Sequence, residues 1–356
     1  METNQLISGV RHRLIRSGEP TLTEFNKITT IEGLRSHLQV AIELEHSTIP
    51  PYLFALYSIR ENTNDTSARA IKGVVMEEML HMILACNILN AVGGTPAISH
   101  KEFIPEYPTY LPHSNKAFEV NLQKFSKPAI ETFLKIEKPA GKDAPPQPDR
   151  YASIGQFYEA IVDGLKRLGA KGNIFTGKRS RQIRPEQFYG GGGGLIEVYD
   201  LATAEEAISE IVGQGEGIDG TIEDNNHQLF GEELEYAHYF RFNEIHEERY
   251  YKPTDTPKGG PTGDKFPVDW NQVHNIKENI KMKDFKKGTE EWDMMYRFNK
   301  CYCDMLRVIH QTVNGEREKL EQAVMMMYQL KYLAQGLMNV PMGNGLYAAP
   351  SFEYVV

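Results

Sequence analysis

Met76-Glu77-Glu78-Met79-Leu80-His81, set within a helical stretch over 68–92, is the segment on which the fold turns. Glu78 and His81 are three residues apart. On a helix they lie one above the other on one face, so a carboxylate oxygen and a ring nitrogen converge on one cation. The pattern returns as Glu235-Tyr236-Ala237-His238. Two such helices, each partnered by a helix carrying one more Glu, make the ligand set of di-iron and di-manganese carboxylate bundles. A single copy is a weak signal, because short patterns of abundant residues recur by chance. Two copies in helical surroundings, each preceded by a further acidic candidate, are a stronger one.

Upstream, residues 30–60 read as a helix, with Ile31, Leu34, Leu38, Ala41, Ile42 and Leu44 at helical spacing. Pro50-Pro51 is expected to kink or unwind it, since each proline removes an amide donor and crowds the preceding turn. Thr66 or Ser67 is available to cap the next helix, and Gly93-Gly94 to stop it. Residues 95–126 read as irregular covering structure, 127–136 as a short helix, 138–150 as a proline-containing linker and 153–168 as helix. The glycines at 190–194 permit close backbone approach, and 195–199 alternates like a short strand. Helices follow at 203–212, capped by Thr203 with Glu206 three residues on, and at 232–251. Two more, 290–313 and 317–338, precede an irregular tail from 341. The expectation is a mainly α chain forming one elaborated domain over 1–356. Its bundle helices fall at about 30–60, 68–92, 203–216 and 232–251, with an inserted irregular segment at 95–202 and additional C-terminal helices at 290–338.

Composition narrows the function classes. With 48 acidic against 39 basic residues and a net charge of -9, the chain has no electrostatic footprint for nucleic acid. No run of about 18 apolar residues suggests a membrane span, and residues 1–20 lack the apolar core of a signal peptide. Three cysteines do not suggest a disulfide framework; buried thiols in a reducing, cytoplasmic setting are expected.

Each half of the site needs a further Glu. In the first half Glu45 is chosen over Glu43. It lies seven residues before Tyr52, two turns along the same face, and residues two apart cannot both face one metal. Tyr52 would then serve as hydrogen-bond partner or redox relay, the one candidate catalytic side chain. The second half offers Glu210 within its helix and Glu216 in Gly213-Gln214-Gly215-Glu216-Gly217, and spacing alone does not decide between them. Arg241, one turn after His238, is a candidate partner for a ligand carboxylate and reads equally as a structural salt bridge. Glu77-Glu78 and Glu232-Glu233 can also be read as solvated faces. His46, His246 and His310 read as packed or surface residues, and Met325-Met326-Met327 as core filler. The glycine run is not a phosphate loop, because no Gly-Lys-Ser or Gly-Lys-Thr follows.

Several blocks resemble a known family. Ala41-Ile-Glu-Leu-Glu-His-Ser-Thr-Ile-Pro-Pro-Tyr52 is similar to the ferritin-like proteins of the iminophenyl-pyruvate dimer synthase-like family. That family includes a domain of the large enzymes that couple indole-pyruvate imines in violacein and related bisindole pathways. The resemblance continues through Met76–His81, Asn90-Ala-Val-Gly-Gly-Thr-Pro96, Ile211-Val-Gly-Gln-Gly-Glu-Gly217, Ala237-His-Tyr-Phe-Arg-Phe-Asn-Glu-Ile245 and Pro350-Ser-Phe-Glu-Tyr354. It implies a ferritin-like four-helix bundle, favours Glu216 over Glu210, and gives metal-site roles to Glu45, Glu78, His81, Glu216, Glu235 and His238. The implied cofactor is two iron ions, with manganese or a mixed pair as alternatives. The implied partners are dioxygen or peroxide and a small amino-acid-derived substrate of secondary metabolism, with no nucleic acid and no membrane. The alternative is a ferroxidase-type metal-handling protein without an organic substrate.

Overall fold

Thr30 sits in extended backbone, and its hydroxyl accepts a hydrogen bond from the Gly33 amide at 3.0 Å, which opens α1 (Ile31–Ser58). In this computed structural model, which describes residues 28–112, 116–139, 153–188, 194–216, 221–224 and 236–356, α1 packs lengthwise on α2 (Asp65–Ala91). One stripe of α1 (Leu34, Leu38, Ala41, Glu45, Thr48, Tyr52) is wholly buried, and so is the facing stripe of α2 (Ile71, Val74, Glu78, His81, Ala85, Ile88). Both alternate steps of three and four residues, the period of a packed helix face. Acidic and imidazole side chains therefore stand in the middle of otherwise apolar seams.

The interruption expected at Pro50-Pro51 is absent: α1 stays helical through both prolines. The Ser47 carbonyl, which loses its partner because Pro51 has no amide hydrogen, accepts the Tyr107 hydroxyl at 2.7 Å. A side chain from the insertion thus repairs the helix. Neither Thr66 nor Ser67 caps α2, which starts earlier, at Asp65, after a left-handed Asn64. Its end is as expected: Gly93 has φ 74, the Gly94 amide donates to Leu89 O at 2.8 Å, and the Arg35 guanidinium donates to Val92 O.

The insertion supplies two helices, α3 (Lys127–Ile136) and α4 (Ile154–Gly169), each opened by a serine that accepts an amide of its first turn. α4 packs on α1 and on α5 (Leu201–Glu216), while α3 packs on α6 (His238–Glu247). α5 is longer than its apolar pattern suggests, because the Asp200 carboxylate, not Thr203, accepts the first-turn amide of Thr203 at 2.9 Å. α6 begins only at His238; Tyr236 forms an isolated bridge with Glu223. Residues 195–199 form no strand. Asn87 and Gln182 side-chain amides hold this stretch instead, with Asn87 donating to Ile183 O and Ile196 O and Gln182 accepting from the Val198 amide.

α7 (Glu290–Val313) and α8 (Leu320–Leu337) pack as a pair at one side. The tail is not wholly irregular: β1 (Pro341–Gly343) and β2 (Leu346–Tyr347) form a short hairpin, turned by Asn344 and Gly345, both with positive φ. Of the methionine run, Met326 and Met327 pack against the core as expected, while Met325 is 64% exposed. Cys86, Cys301 and Cys303 are free and buried. By length and composition α2 is apolar enough to cross a membrane, but its most apolar window is 94% buried inside the protein.

Candidate metal centre

Glu45 on α1 and Glu78 and His81 on α2 bring ligand atoms within 4.8 Å of one another, and Glu78, Glu137 and His238 do the same. Glu78 belongs to both groups, so the two share one carboxylate. All five side chains are buried. Glu45, Glu78, His81 and His238 were expected to meet; Glu137 was not. It caps the C-terminus of α3 and lies between a helix and a linker in the sequence. Its signal was the buried face of α3, Ile130 and Phe133, on which position 137 is the next step of four.

Three hydroxyls fix the carboxylates. Thr48 donates to Glu78 Oε2 at 2.8 Å and Tyr158, from the insertion, donates to Glu45 Oε1 at 2.6 Å. Tyr52 shares the stripe of Glu45 as expected, yet it donates to Glu137 Oε1. Its ring is wedged edge-on between Phe133 and Phe242, with centroids 4.5 and 5.2 Å away. Burial and the neighbouring carboxylates push both tyrosine hydroxyls well above their usual range.

Behind the imidazoles lies a second set of groups. His238 Nε2 is 2.8 Å from Glu77 Oε2, Glu77 Oε1 is 3.0 Å from Arg241 Nη1, and Arg241 Nη2 is 3.0 Å from Asp224. Burial pushes the Glu77 carboxyl up, but Arg241 and His238 outweigh it and hold the group at about 2. Glu77 is therefore no solvated face; it is an ionised, fully buried support. His81 Nε2 is 2.8 Å from the amide oxygen of Gln214, whose Nε2 donates to Glu210 at 2.9 Å. The two rings lie 5.4 Å apart and nearly parallel.

The donor set fits a cation. Burial, together with the charges of Glu137 and Glu45, pushes Glu78 up to about 7. Burial lowers the affinity of His81 and His238 for a proton, but the surrounding carboxylates raise both above the ordinary value. His238 Nδ1 is the telling atom. It is buried without a hydrogen-bond partner, 3.0 Å from Glu78 Oε1 and 3.4 Å from Glu137 Oε2. With Nε2–H directed at Glu77, a neutral ring would aim its Nδ1 lone pair at carboxylate oxygens. A positive charge, on the ring or between the groups, removes that repulsion. Mixed carboxylate and imidazole donors suit divalent iron or manganese.

Of the other expected residues, Glu216 is the last residue of α5 and its side chain lies outside the described part; Glu235 lies outside the described residues altogether. Glu43 and Glu210 are in neither group. His46 bonds Tyr302 at 2.6 Å and His246 faces Glu247 and Glu131, and neither joins a metal-competent group among the described residues. A cavity of about 10 Å³, space for about one water molecule, is lined by Glu45, Glu78, His81 and Glu137 with Ile136, Ile154 and Ile211. The insertion supplies part of its wall, through Ile136, Glu137, Ile154 and Gly155.

Known proteins share the fold. A family model described as ferritin-like matches residues 38–247. The chain is 26% identical, over 95% of its length, to dichlorochromopyrrolate synthase of Lentzea aerocolonigenes. It is 24% identical, over 62% of its length, to 2-imino-3-(indol-3-yl)propanoate dimerase of Chromobacterium violaceum. The matched part is 37% of the first relative and 23% of the second. Both relatives are named as enzymes. The crystal structure of a ferritin like protein from Caulobacter vibrioides superposes with a TM-score of 0.63 at 23% identity, covering 92% of this chain and all of that one.

Proposed function

The chain belongs to the ferritin-like family, and on that premise we propose that it is a dinuclear non-haem metal enzyme, with iron as resident metal, that oxidises a small amino-acid-derived molecule in secondary metabolism. The observation that carries this reading is the set of buried donors in two groups that share Glu78, with His238 Nδ1 facing two carboxylates. Glu45 and His81 would hold one ion, Glu137 and His238 the other, and Glu78 would bridge them. Glu216 and Glu235 are proposed to complete the set. A redox-active divalent pair held there supplies electrons and Lewis acidity to dioxygen or peroxide.

The protein's own groups do the rest. Tyr158 and Tyr52 keep a proton on oxygen beside Glu45 and Glu137, so each can pass a proton to its carboxylate and take it back. Thr48 fixes Glu78 through Oε2 and leaves Oε1 facing His238. Ile136, Ile154 and Ile211 keep bulk water from the donors. The amino-acid-derived substrate class rests on the names of the two relatives, whose greater length makes their own activities no more than a guide.

A second reading, metal oxidation or storage without an organic substrate, is favoured by the cavity: about 10 Å³ admits a small diatomic molecule and not an aromatic amino-acid derivative. An anaerobic iron(II) titration followed by an oxygen pulse separates the two. The enzyme reading expects about two metals per chain and oxygen consumption that depends on an organic co-substrate. Oxygen consumption without one, ending in ferric mineral, would establish the second reading. Binding of less than about one metal per chain would defeat both.

A further inference from the structure

His81 and His238 turn the same nitrogen to the site. Each presents Nδ1 to carboxylate oxygens, at 3.5 Å from Glu45 and 3.0 Å from Glu78, and each holds Nε2 2.8 Å from an oxygen behind the ring. Those two oxygens differ in charge. Behind His238 stands the Glu77 carboxylate; behind His81 stands the neutral amide of Gln214, with the Glu210 carboxylate one hydrogen bond farther back. Glu77, Gln214 and Asp224 are fully buried, so water does not level the difference. Arg241 is shared between Glu77 and Asp224 and is not given over to Glu77 alone.

A carboxylate bonded to the far nitrogen of an imidazole raises its basicity as a ligand and fixes its tautomer. An amide oxygen fixes the tautomer with less effect on basicity. Building on the dinuclear reading above, we propose that the two metal positions are unequal and fill in order. The position at Glu78, Glu137 and His238 takes a divalent cation first and more tightly, and Glu77 is the positioning residue that sets this order. The pairing of Gln214 with His81 makes the other position the weaker one.

Manganese(II) titrated calorimetrically into the metal-free full chain tests this without turnover. The expected result is two resolved steps. Glu137→Gln removes the tighter step and Glu45→Gln the weaker, which assigns them. Glu77→Gln then weakens the tighter step by about 10–100-fold and leaves the weaker one nearly unchanged. Gln214→Glu combined with Glu210→Gln moves a carboxylate one hydrogen bond closer to His81 at constant charge, and it tightens the weaker step. That exchange decides alone if Glu77→Gln does not fold. Two equal steps, equal weakening of both by Glu77→Gln, or no response to the exchange would overturn the ordering and leave the dinuclear site standing. Absence of manganese binding would overturn both.

Discussion

The two halves of the centre are built differently. Glu45, Glu78 and His81 project from two long, adjacent helices whose buried seams run unbroken on either side. His238 instead opens a helix of ten residues, and its partner Glu137 closes another of ten that belongs to the insertion. The first half stands on a continuous helix pair, with Thr48, Tyr158 and Gln214 bonding its side chains. The second is held by side-chain bonds: Glu77 and Arg241 behind His238, and Tyr52 on Glu137. Rigid backbone and a hydrogen-bonded scaffold are two routes to one ligand geometry, and they should fail differently.

The sharpest way to break the comparison is Glu78→Ala, which removes the carboxylate common to both halves. Both metals should be lost, read as near-zero metal per chain after reconstitution and dialysis; retention of one would show that Glu78 does not bridge. Glu137→Ala should cost one metal of two, because Glu45 and His81 remain on their helices. Loss of both would mean the halves do not stand independently.

Acidity probes the halves in the metal-free protein. Glu78, pushed up to about 7, binds a proton in the folded state that an unfolded carboxylate releases near 4.5. Folding stability from this group therefore falls as pH rises between those values. His81 and His238, raised above 6.5, act in the same sense: their contribution is present below 6.5 and is lost as pH rises through their folded values. Glu77 acts oppositely, contributing above 4.5 and failing as pH drops through about 2. The melting temperature should thus decline from about pH 5 to about pH 8 without metal, and metal should reverse the trend because ligands bind deprotonated. A flat profile without metal would show that the carboxylates do not repel as their burial requires.

The smallest effect concerns the helix that carries Glu45. Tyr107→Phe leaves the Ser47 carbonyl without the hydroxyl that replaces the missing Pro51 amide, at a cost of about 1–3 kcal/mol in chemical denaturation. An unchanged midpoint would mean that the helix needs no such repair.

The same difference explains what the sequence could tell. The first half was readable because Glu78 and His81 keep helical register with apolar neighbours, so local spacing carried the signal. Glu137 and Tyr158 were missed because their partners, His238 and Glu45, are far away in sequence; the register of Ile130 and Phe133 marks position 137 as buried but not as a ligand. The uninterrupted helix at Pro50-Pro51 was hidden for the same reason, since the repairing hydroxyl comes from Tyr107. The hairpin at 341–347 does carry a local mark, the turn pair Asn344-Gly345. The ferritin-like blocks conveyed the architecture far better than they conveyed the contributions of the insertion.

The amides of Asn87 and Gln182 bear on how the chain opens. Ile183 and Val198 donate their backbone hydrogens to these buried side chains, and Asn87 returns bonds to Ile183 O and Ile196 O. Stretches with neither helix nor strand are thereby bound to the C-terminal part of α2, nearly two turns beyond His81. In hydrogen-exchange terms they belong to the cooperative unit of that helix and should be as slow to exchange as its interior, despite looking like loop. Protection from solvent, and not regularity of backbone, marks the boundary of the structural core in this protein.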